Sequence, residues 1–124
     1  MNNNIKYTSS EGSIPSLANI STLIIDEDSF SLSLLKECSA LKSLHIKNTN
    51  REEINLKDIE NALNLKSIFI TDNKKLTGII FPSVPNTVLN TLNIVSNALH
   101  FIPQNLQYFH NLEYLSLEQN KIQG

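Results

Sequence analysis

Three residues of this chain have the side-chain types of a nucleophilic catalytic triad: a carboxylate at Asp26, an imidazole at His45 and a hydroxyl at Ser67. In such a triad the histidine takes a proton from the hydroxyl, and the carboxylate orients the imidazole. Each step needs a hydrogen bond of about 2.6–3.2 Å between neighbouring groups. Catalysis would therefore require a fold that brings all three side chains into contact.

The other chemically reactive residues lack suitable partners in the sequence. The acidic stretch DEDS at 26–29 suggests a cation site, but a hard cation needs about six or more converging oxygens, so a solvated strand end is favoured. Cys38 lies at an inward position of a helical pattern, which predicts a buried and unreactive thiol. His100 and His110 have no partner ligands at metal-binding spacing. We predict no catalytic, cofactor or metal site.

Composition excludes several classes of protein. With 124 residues, 40% hydrophobic and 18% charged, the chain is expected to form one folded domain. Its net charge of -2 offers no broad positive surface, so no nucleic-acid partner is expected. No apolar run exceeds the three residues at 79–81, far fewer than the ~20 residues of a membrane span. The start MNNNIKYTSSEG is no signal peptide, so the chain as written is expected to be cytoplasmic, or extracellular if it is a fragment of a longer one.

A nine-residue pattern with apolar residues at its first, fourth and sixth places recurs along the chain. Its copies begin at positions 20, 41, 65, 89 and 112, which are 21, 24, 24 and 23 residues apart. A nearly fixed period of this length indicates a repeat architecture. We number the repeats 1 to 5; their sequences are ISTLIIDED, LKSLHIKNT, LKSIFITDN, LNTLNIVSN and LEYLSLEQN.

This pattern resembles that of leucine-rich repeat proteins, L-x-x-L-x-L-x-x-N with a period of about 20–29 residues. The resemblance covers residues 20–124, and the stretches EGSIPSL and NKKLTGIIFP are similar to the G-x-I-P version of the repeat in plant-type members. An asparagine at the ninth place can both donate and accept hydrogen bonds in the turn. Because the ninth place lacks asparagine in repeats 1 and 2, these repeats are predicted to be the more irregular; the five residues there are Asp28, Thr49, Asn73, Asn97 and Asn120.

The resemblance implies an α/β fold, a leucine-rich-repeat solenoid with a parallel sheet on the concave face and short helices or extended returns on the convex face. Helical spacing predicts short helices within 32–41 and 54–65, whereas a glycine and two prolines predict an extended return at 76–88. Residues 1–19 are interpreted as an N-terminal cap or partial repeat, ahead of the repeats at 20–124. Because no C-terminal cap is visible, the chain is interpreted either as a fragment of a longer array or as one whose last repeat is covered by another molecule, for example by self-association through that end.

Alternation along each strand predicts which side chains face a partner. If the first, fourth and sixth places point inward, the third, fifth and seventh places line the concave face. Aromatic anchors among small polar residues concentrate binding energy at protein interfaces. We therefore predict a protein or peptide partner bound at this face; the candidate residues are Ile24, His45, Phe69, Tyr114, Asp26, Lys47 and Asn93. For Ile24 the alternative is that the N-terminal segment folds over it.

The same alternation disfavours the triad. Asp26, His45 and Ser67 fall on three successive strands along a diagonal, where neighbours lie ~7–8 Å apart, too far for a hydrogen-bonded relay. Two alternatives to partner binding remain. One is an architectural middle segment of a larger receptor or effector whose recognition site lies elsewhere; the other, a remote one, is a hydrolase that uses His45.

Overall fold

The computed structural model describes residues 5–122, and these contain eight strands and five short 3-10 helices. The strands are β1 (Ile5–Thr8), β2 (Ile20–Ile25), β3 (Ser43–Lys47), β4 (Glu53–Asn55), β5 (Ser67–Thr71), β6 (Gly78–Ile80), β7 (Thr91–Val95) and β8 (Tyr114–Ser116). The 3-10 helices span Ser9–Glu11, Leu17–Asn19, Leu32–Glu37, Lys57–Asn61 and Leu106–Tyr108.

Six of the strands form one sheet in the order β1-β2-β3-β5-β7-β8, and each neighbouring pair is parallel. Parallel neighbours need a crossover between them, and the return segments with their short helices supply it. The predicted α/β class with a parallel sheet is confirmed at this level. The sheet has six strands where the repeat pattern predicts five, because β1 pairs with β2 ahead of the first repeat.

The inward places of the five repeats are aligned by the strand register. The fourth-place residues are successive Cα partners across the sheet, and the first four of them are fully buried; the row is Leu23, Leu44, Ile68, Leu92 and Leu115. The sixth-place residues Ile46, Ile70 and Ile94 form a second buried row beside it. A single apolar core therefore runs the length of the sheet, and it is least covered at β8, where Leu115 is 46% exposed.

The return segments follow the expected pattern with one addition. Short helices form at Leu32–Glu37 and Lys57–Asn61, and the stretch 76–88 contains β6 and no helix, as predicted. The addition is a second, two-stranded parallel sheet of β4 and β6, which the apolar periodicity did not indicate. Within residues 5–122, no helix is long and apolar enough to cross a membrane.

Most of the turns after the strands share one backbone conformation. The eighth-place residues of repeats 2 to 5 have positive φ; they are Asn48 (56°), Asp72 (58°), Ser96 (62°) and Gln119 (57°). This left-handed region is unusual for residues other than glycine, and asparagine and aspartate enter it most readily. The corresponding residue of repeat 1, Glu27, is absent from this set, so the first turn is built differently.

Asparagines at the ninth place link each turn to the one before it. Asn73 is fully buried; its Oδ1 accepts from the backbone N–H (3.0 Å) and hydroxyl (2.7 Å) of Thr49, and its Nδ2 donates to the carbonyl of Ile46 (3.0 Å). Asn97 repeats this one turn later, accepting from the Asn73 N–H (3.1 Å) and donating to the Ile70 carbonyl (2.9 Å). The buried turn groups of one repeat are thus paired by the asparagine of the next.

The first turn uses an arginine instead. Arg51 donates from one terminal nitrogen to the carbonyls of Glu27 (3.0 Å) and Phe30 (2.6 Å), which lie in the turn of repeat 1. The predicted irregularity therefore holds for repeat 1. Repeat 2 departs from that expectation, because Asn73 supplies the bonds that Thr49 cannot make alone.

Candidate functional site

The candidate site is the outer face of the six-stranded sheet, the side opposite the apolar core. Burial alternates along β3, β5 and β7, with the outward residues half-exposed and the inward ones buried. All seven predicted partner-binding residues lie at outward places. We define the outer face by the outward residues Lys6, Thr8, Thr22, Ile24, Asp26, Ser43, His45, Lys47, Ser67, Phe69, Thr71, Thr91, Asn93, Val95, Tyr114, Ser116 and Glu118.

An aromatic pair lies at the middle of the outer face. His45 on β3 and Phe69 on β5 are Cα partners, and their rings stack with centroids 4.5 Å apart at an interplanar angle of 29°. Both side chains are half-buried. Because stacked rings restrict one another's rotation, the pair presents a preformed apolar platform among hydroxyl and amide groups.

The imidazole of this pair is held in its neutral form. Burial lowers the pKa of His45 below its ordinary value, and the positive charges of Lys47 and Lys6 lower the pKa further. Lys47 lies two residues along the same strand, and Lys6 belongs to β1. At neutral pH the centre of the outer face therefore offers an uncharged platform with lysine ammonium groups nearby.

Asn93 adds a polar group beside the aromatic pair. It is the Cα partner of Phe69, and its Oδ1 is buried and makes no hydrogen bond within the described residues. The neighbouring Ser116 on β8 cannot serve it, since its hydroxyl donates to Oε1 of Glu118 at 3.1 Å. An unsatisfied buried amide oxygen is costly, so Asn93 has hydrogen-bonding capacity that the isolated chain leaves unused.

The N-terminal segment covers two of the predicted residues. Ile24, expected to face water, is only 9% exposed, and Thr8 of β1 is its Cα partner. The carboxylate of Asp26 accepts hydrogen bonds from the hydroxyl of Ser9 (2.9 Å) and from the hydroxyl and N–H of Ser10 (2.8 and 3.1 Å). We call Ser9, Ser10 and Asp26 the serine clasp.

The serine clasp also affects the ionisation of its carboxylate. Burial raises the pKa of Asp26, but the hydrogen bonds from Ser10 and Ser9 outweigh it, so the pKa lies below its ordinary value. The carboxylate is thus charged and already bonded within the chain. Ile24 and Asp26 can take part in recognition only at the margin of the outer face.

Tyr114 is separated from the other candidates. It lies on the last strand, β8, with Thr91 as its Cα partner, and it is 49% exposed. The predicted residues therefore fall into three groups. His45, Phe69, Asn93 and Lys47 form the centre; Ile24 and Asp26 lie beneath the N-terminal segment; and Tyr114 stands at the far edge.

Sequence reasoning missed the contribution of β1 to this face. Lys6 and Thr8 are Cα partners of Thr22 and Ile24, which extends the outer face by one strand. The signal was present in IKYT at 5–8, where the buried Tyr7 lies between two outward residues. It was too short to recognise as a strand without the pairing to β2.

The triad residues do not form a relay. His45 stacks on Phe69, Asp26 is bonded in the serine clasp, and within residues 5–122 no hydrogen bond joins His45 to Asp26 or Ser67. The described part of the chain also has no cluster of three or more His, Cys, Asp and Glu residues that could hold a metal ion. Cys38 is buried, and burial raises the pKa of its thiol to about 11, as expected of an unreactive cysteine.

Concave features occur away from the outer face. A depression of about 540 Å³ is lined by turn and return residues, among them Asp28, Arg51 and Lys57. A smaller one of about 130 Å³ is lined by apolar return residues that include Leu63, Val84 and Phe109. Neither contains a residue of the outer face.

Comparison of the chain with models of protein families, with curated proteins and with solved structures gave no match. A functional assignment therefore depends on the repeat pattern and on the geometry of the outer face.

Proposed function

We propose that the chain is a leucine-rich-repeat solenoid that binds a protein or peptide partner through the outer face, which would be its concave face. The repeat pattern supports this, because equivalent places of the five repeats are Cα partners across a parallel sheet. The buried asparagines of the turns, Asn73 and Asn97, fit the same interpretation, since they occupy the ninth place of the repeat. Repeat arrays of this kind use such extended surfaces for recognition.

The observation that carries the functional part is the stacked pair of His45 and Phe69 at the centre of a polar face. A rigid aromatic group surrounded by small polar residues is the usual composition of an interface hot spot, and its truncation costs about 2 kcal/mol or more. The unused hydrogen-bonding capacity of Asn93 lies directly beside Phe69. Because Asn93 is half-exposed, a partner that covers Phe69 would also contact its side chain, and a small rotation of that side chain would bring the amide oxygen within reach.

The test is a matched pair of double variants. Phe69→Ala with Tyr114→Ala removes the two aromatic anchors of the outer face. Leu63→Ala with Phe101→Ala removes two side chains of the return segments, which are 73% and 80% exposed. Both variants should keep the circular dichroism spectrum of the parent chain.

Partners would be captured by cross-linking, purified, and measured by isothermal titration calorimetry against each variant. We expect the outer-face variant to weaken binding by about 30-fold or more, equivalent to about 2 kcal/mol, and the return-segment variant to bind normally. Equal affinity of the outer-face variant and the parent chain would refute the assignment of the binding face.

One observation favours the architectural alternative, in which these repeats are a segment of a larger receptor or effector. Leu115, an inward residue of the last strand, is half-exposed, as it would be where further repeats continue the core. That function predicts that no partner binds the isolated chain. It also predicts that appended repeats would raise the melting temperature without creating an outer-face interaction.

A further inference from the structure

The six-stranded sheet has two edge strands, β1 and β8, whose outer backbone groups no other described strand pairs. The β1 edge is poorly suited to further pairing. Its register with β2 shifts between Ile5 and Lys6, and Lys6 carries an exposed charge. Irregular and charged edges are the usual protection of a sheet against added strands.

The β8 edge has neither a register shift nor a charged residue within the strand, although at three residues it is short. Its residues pair with β7 in regular register, from Thr91 with Tyr114 to Asn93 with Ser116. Leu115 is 46% exposed, whereas its Cα partner Leu92 is fully buried. The edge therefore combines free backbone groups with an inward-facing apolar side chain that lacks cover on one side.

We propose that β8 pairs with β8 of a second copy of this chain, in antiparallel orientation about a twofold axis through Leu115. The pairing would provide hydrogen-bond partners for the free backbone groups of both β8 edges. It would also place Leu115 against Leu115 of the second copy, so that the buried row of Leu92 and its equivalents runs from one copy into the other.

The sequence of β8 and its flanks is complementary to itself in this arrangement. With Leu115 on the axis, Tyr114 lies opposite Ser116 of the second copy. Glu113 then lies opposite Leu117. Like charges directly opposite each other destabilise paired strands, and this register contains no such pair over 113–117.

Because only the β8 edge is suited to pairing, the proposed assembly cannot grow beyond two copies. A head-to-tail array would require β8 of one copy to pair with β1 of the next, and the register shift and Lys6 disfavour that contact. A twofold contact uses the same edge of both copies and ends at a dimer. The outer face remains open to a partner in this dimer, so the proposal is independent of the function proposed above.

The first test is sedimentation equilibrium of the full chain over a wide concentration range. We expect the mass to rise with concentration to twice that of the monomer and no further. Leu115→Asp should raise the dimer dissociation constant at least 10-fold, whereas Leu63→Asp, at an exposed apolar site of a return segment, should leave it unchanged. A monomer at every concentration, growth beyond the dimer, or a dimer that is insensitive to Leu115→Asp would overturn the proposal.

The second test keeps the proposal decidable if Leu115→Asp disturbs folding. Facing residues of antiparallel strands have Cα atoms about 4.5–5.5 Å apart, within the range of a disulfide. Mild oxidation of Leu115→Cys should therefore give a covalent dimer on a non-reducing gel. The parent chain is the control, because its Cys38 is buried. A Leu115→Cys dimer that does not cross-link would exclude the twofold contact.

Discussion

The two ends of the six-stranded sheet are both edge strands, yet only one of them buries its inward residue. At the N-terminal end, Tyr7 of β1 is buried, and its hydroxyl donates to the carbonyl of Gly12 at 2.7 Å. At the C-terminal end, Leu115 of β8 is half-exposed. The difference shows that a strand alone does not close this core. Burial of Tyr7 accompanies a segment, residues 8–12, that folds back to it and is anchored by the serine clasp.

The largest contrast should appear when an inward leucine that β1 covers, Leu23 of β2, and the inward leucine of β8, Leu115, are each truncated. Leu23 is fully buried between β1 and β3, so Leu23→Ala should lower the free energy of unfolding by about 3–4 kcal/mol through lost burial and a residual cavity. Leu115→Ala should cost only about 1 kcal/mol, because half of its side chain is already in water.

Urea unfolding followed by circular dichroism would measure both values, at a concentration where the chain is monomeric. Equal losses for the two variants would mean that the C-terminal end is as well covered as the N-terminal one.

A smaller contrast is expected between the turn asparagines. Asn73→Ala would leave the N–H of Thr49 and the carbonyl of Ile46 unpaired in a buried turn, at a cost of about 2–4 kcal/mol. Asn120 makes the equivalent bond to the carbonyl of Ile94 (2.9 Å), but its side chain is half-exposed. Because water can replace part of its bonding, Asn120→Ala should cost about 1 kcal/mol.

Guanidinium unfolding and amide hydrogen exchange would test this contrast together. Exchange at Thr49 should accelerate in Asn73→Ala and not in Asn120→Ala. If both variants lose the same free energy of unfolding, burial of the turn does not determine the size of that loss.

The smallest expected effect concerns the serine clasp and pH. Because the pKa of Asp26 is lowered in the folded chain, its charged form stabilises the fold above the unfolded pKa of about 4. That contribution is lost as the pH falls from there through the lowered pKa. Since Asp26 is partly exposed, its size is about 1 kcal/mol.

Thermal unfolding of Asp26→Asn between neutral pH and strongly acidic pH would check this sign. The variant should be less stable than the parent chain at neutral pH, and the gap should close as the solution becomes acidic. Glu53→Gln, at an exposed carboxylate of β4, is the control. It should have the same thermal stability as the parent chain at both neutral and acidic pH. A gap that persists in acid would show that the charge of Asp26 is not the stabilising element.

The sequence predicted those parts of the fold that depend on apolar periodicity. The row of Leu44, Ile68 and Leu92 follows directly from the period, because each repeat must bury the same face against its neighbours. The extended return at 76–88 followed from its prolines and glycine, and the buried thiol of Cys38 from its place in a helical pattern.

The features that escaped prediction depend on single contacts between distant segments. β1 has only one buried residue, Tyr7, and becomes a strand by pairing with β2. Arg51 replaces a turn asparagine through bonds to Glu27 and Phe30, which no repeat pattern encodes. For Ile24 the periodicity favoured exposure over the alternative of cover by the N-terminal segment, and the structure has the alternative, because the cover comes from outside the repeats.

Most side-chain hydrogen bonds between the turns run in one direction along the chain; the exception is the carboxylate of Asp28, which accepts from the N–H of Asn50 at 2.8 Å. Asn97 pairs the backbone of repeat 3, Asn73 that of repeat 2, and Arg51 that of repeat 1, so each turn is completed by the repeat that follows it. Deleting a repeat from the C-terminal side therefore strips the hydrogen bonds of the turn that becomes last, whereas deleting repeat 1 removes from the next turn only the bond between the N–H of Asn50 and Asp28. The hydrogen bonds of the turns should consequently survive shortening of the chain at its start better than shortening at its finish.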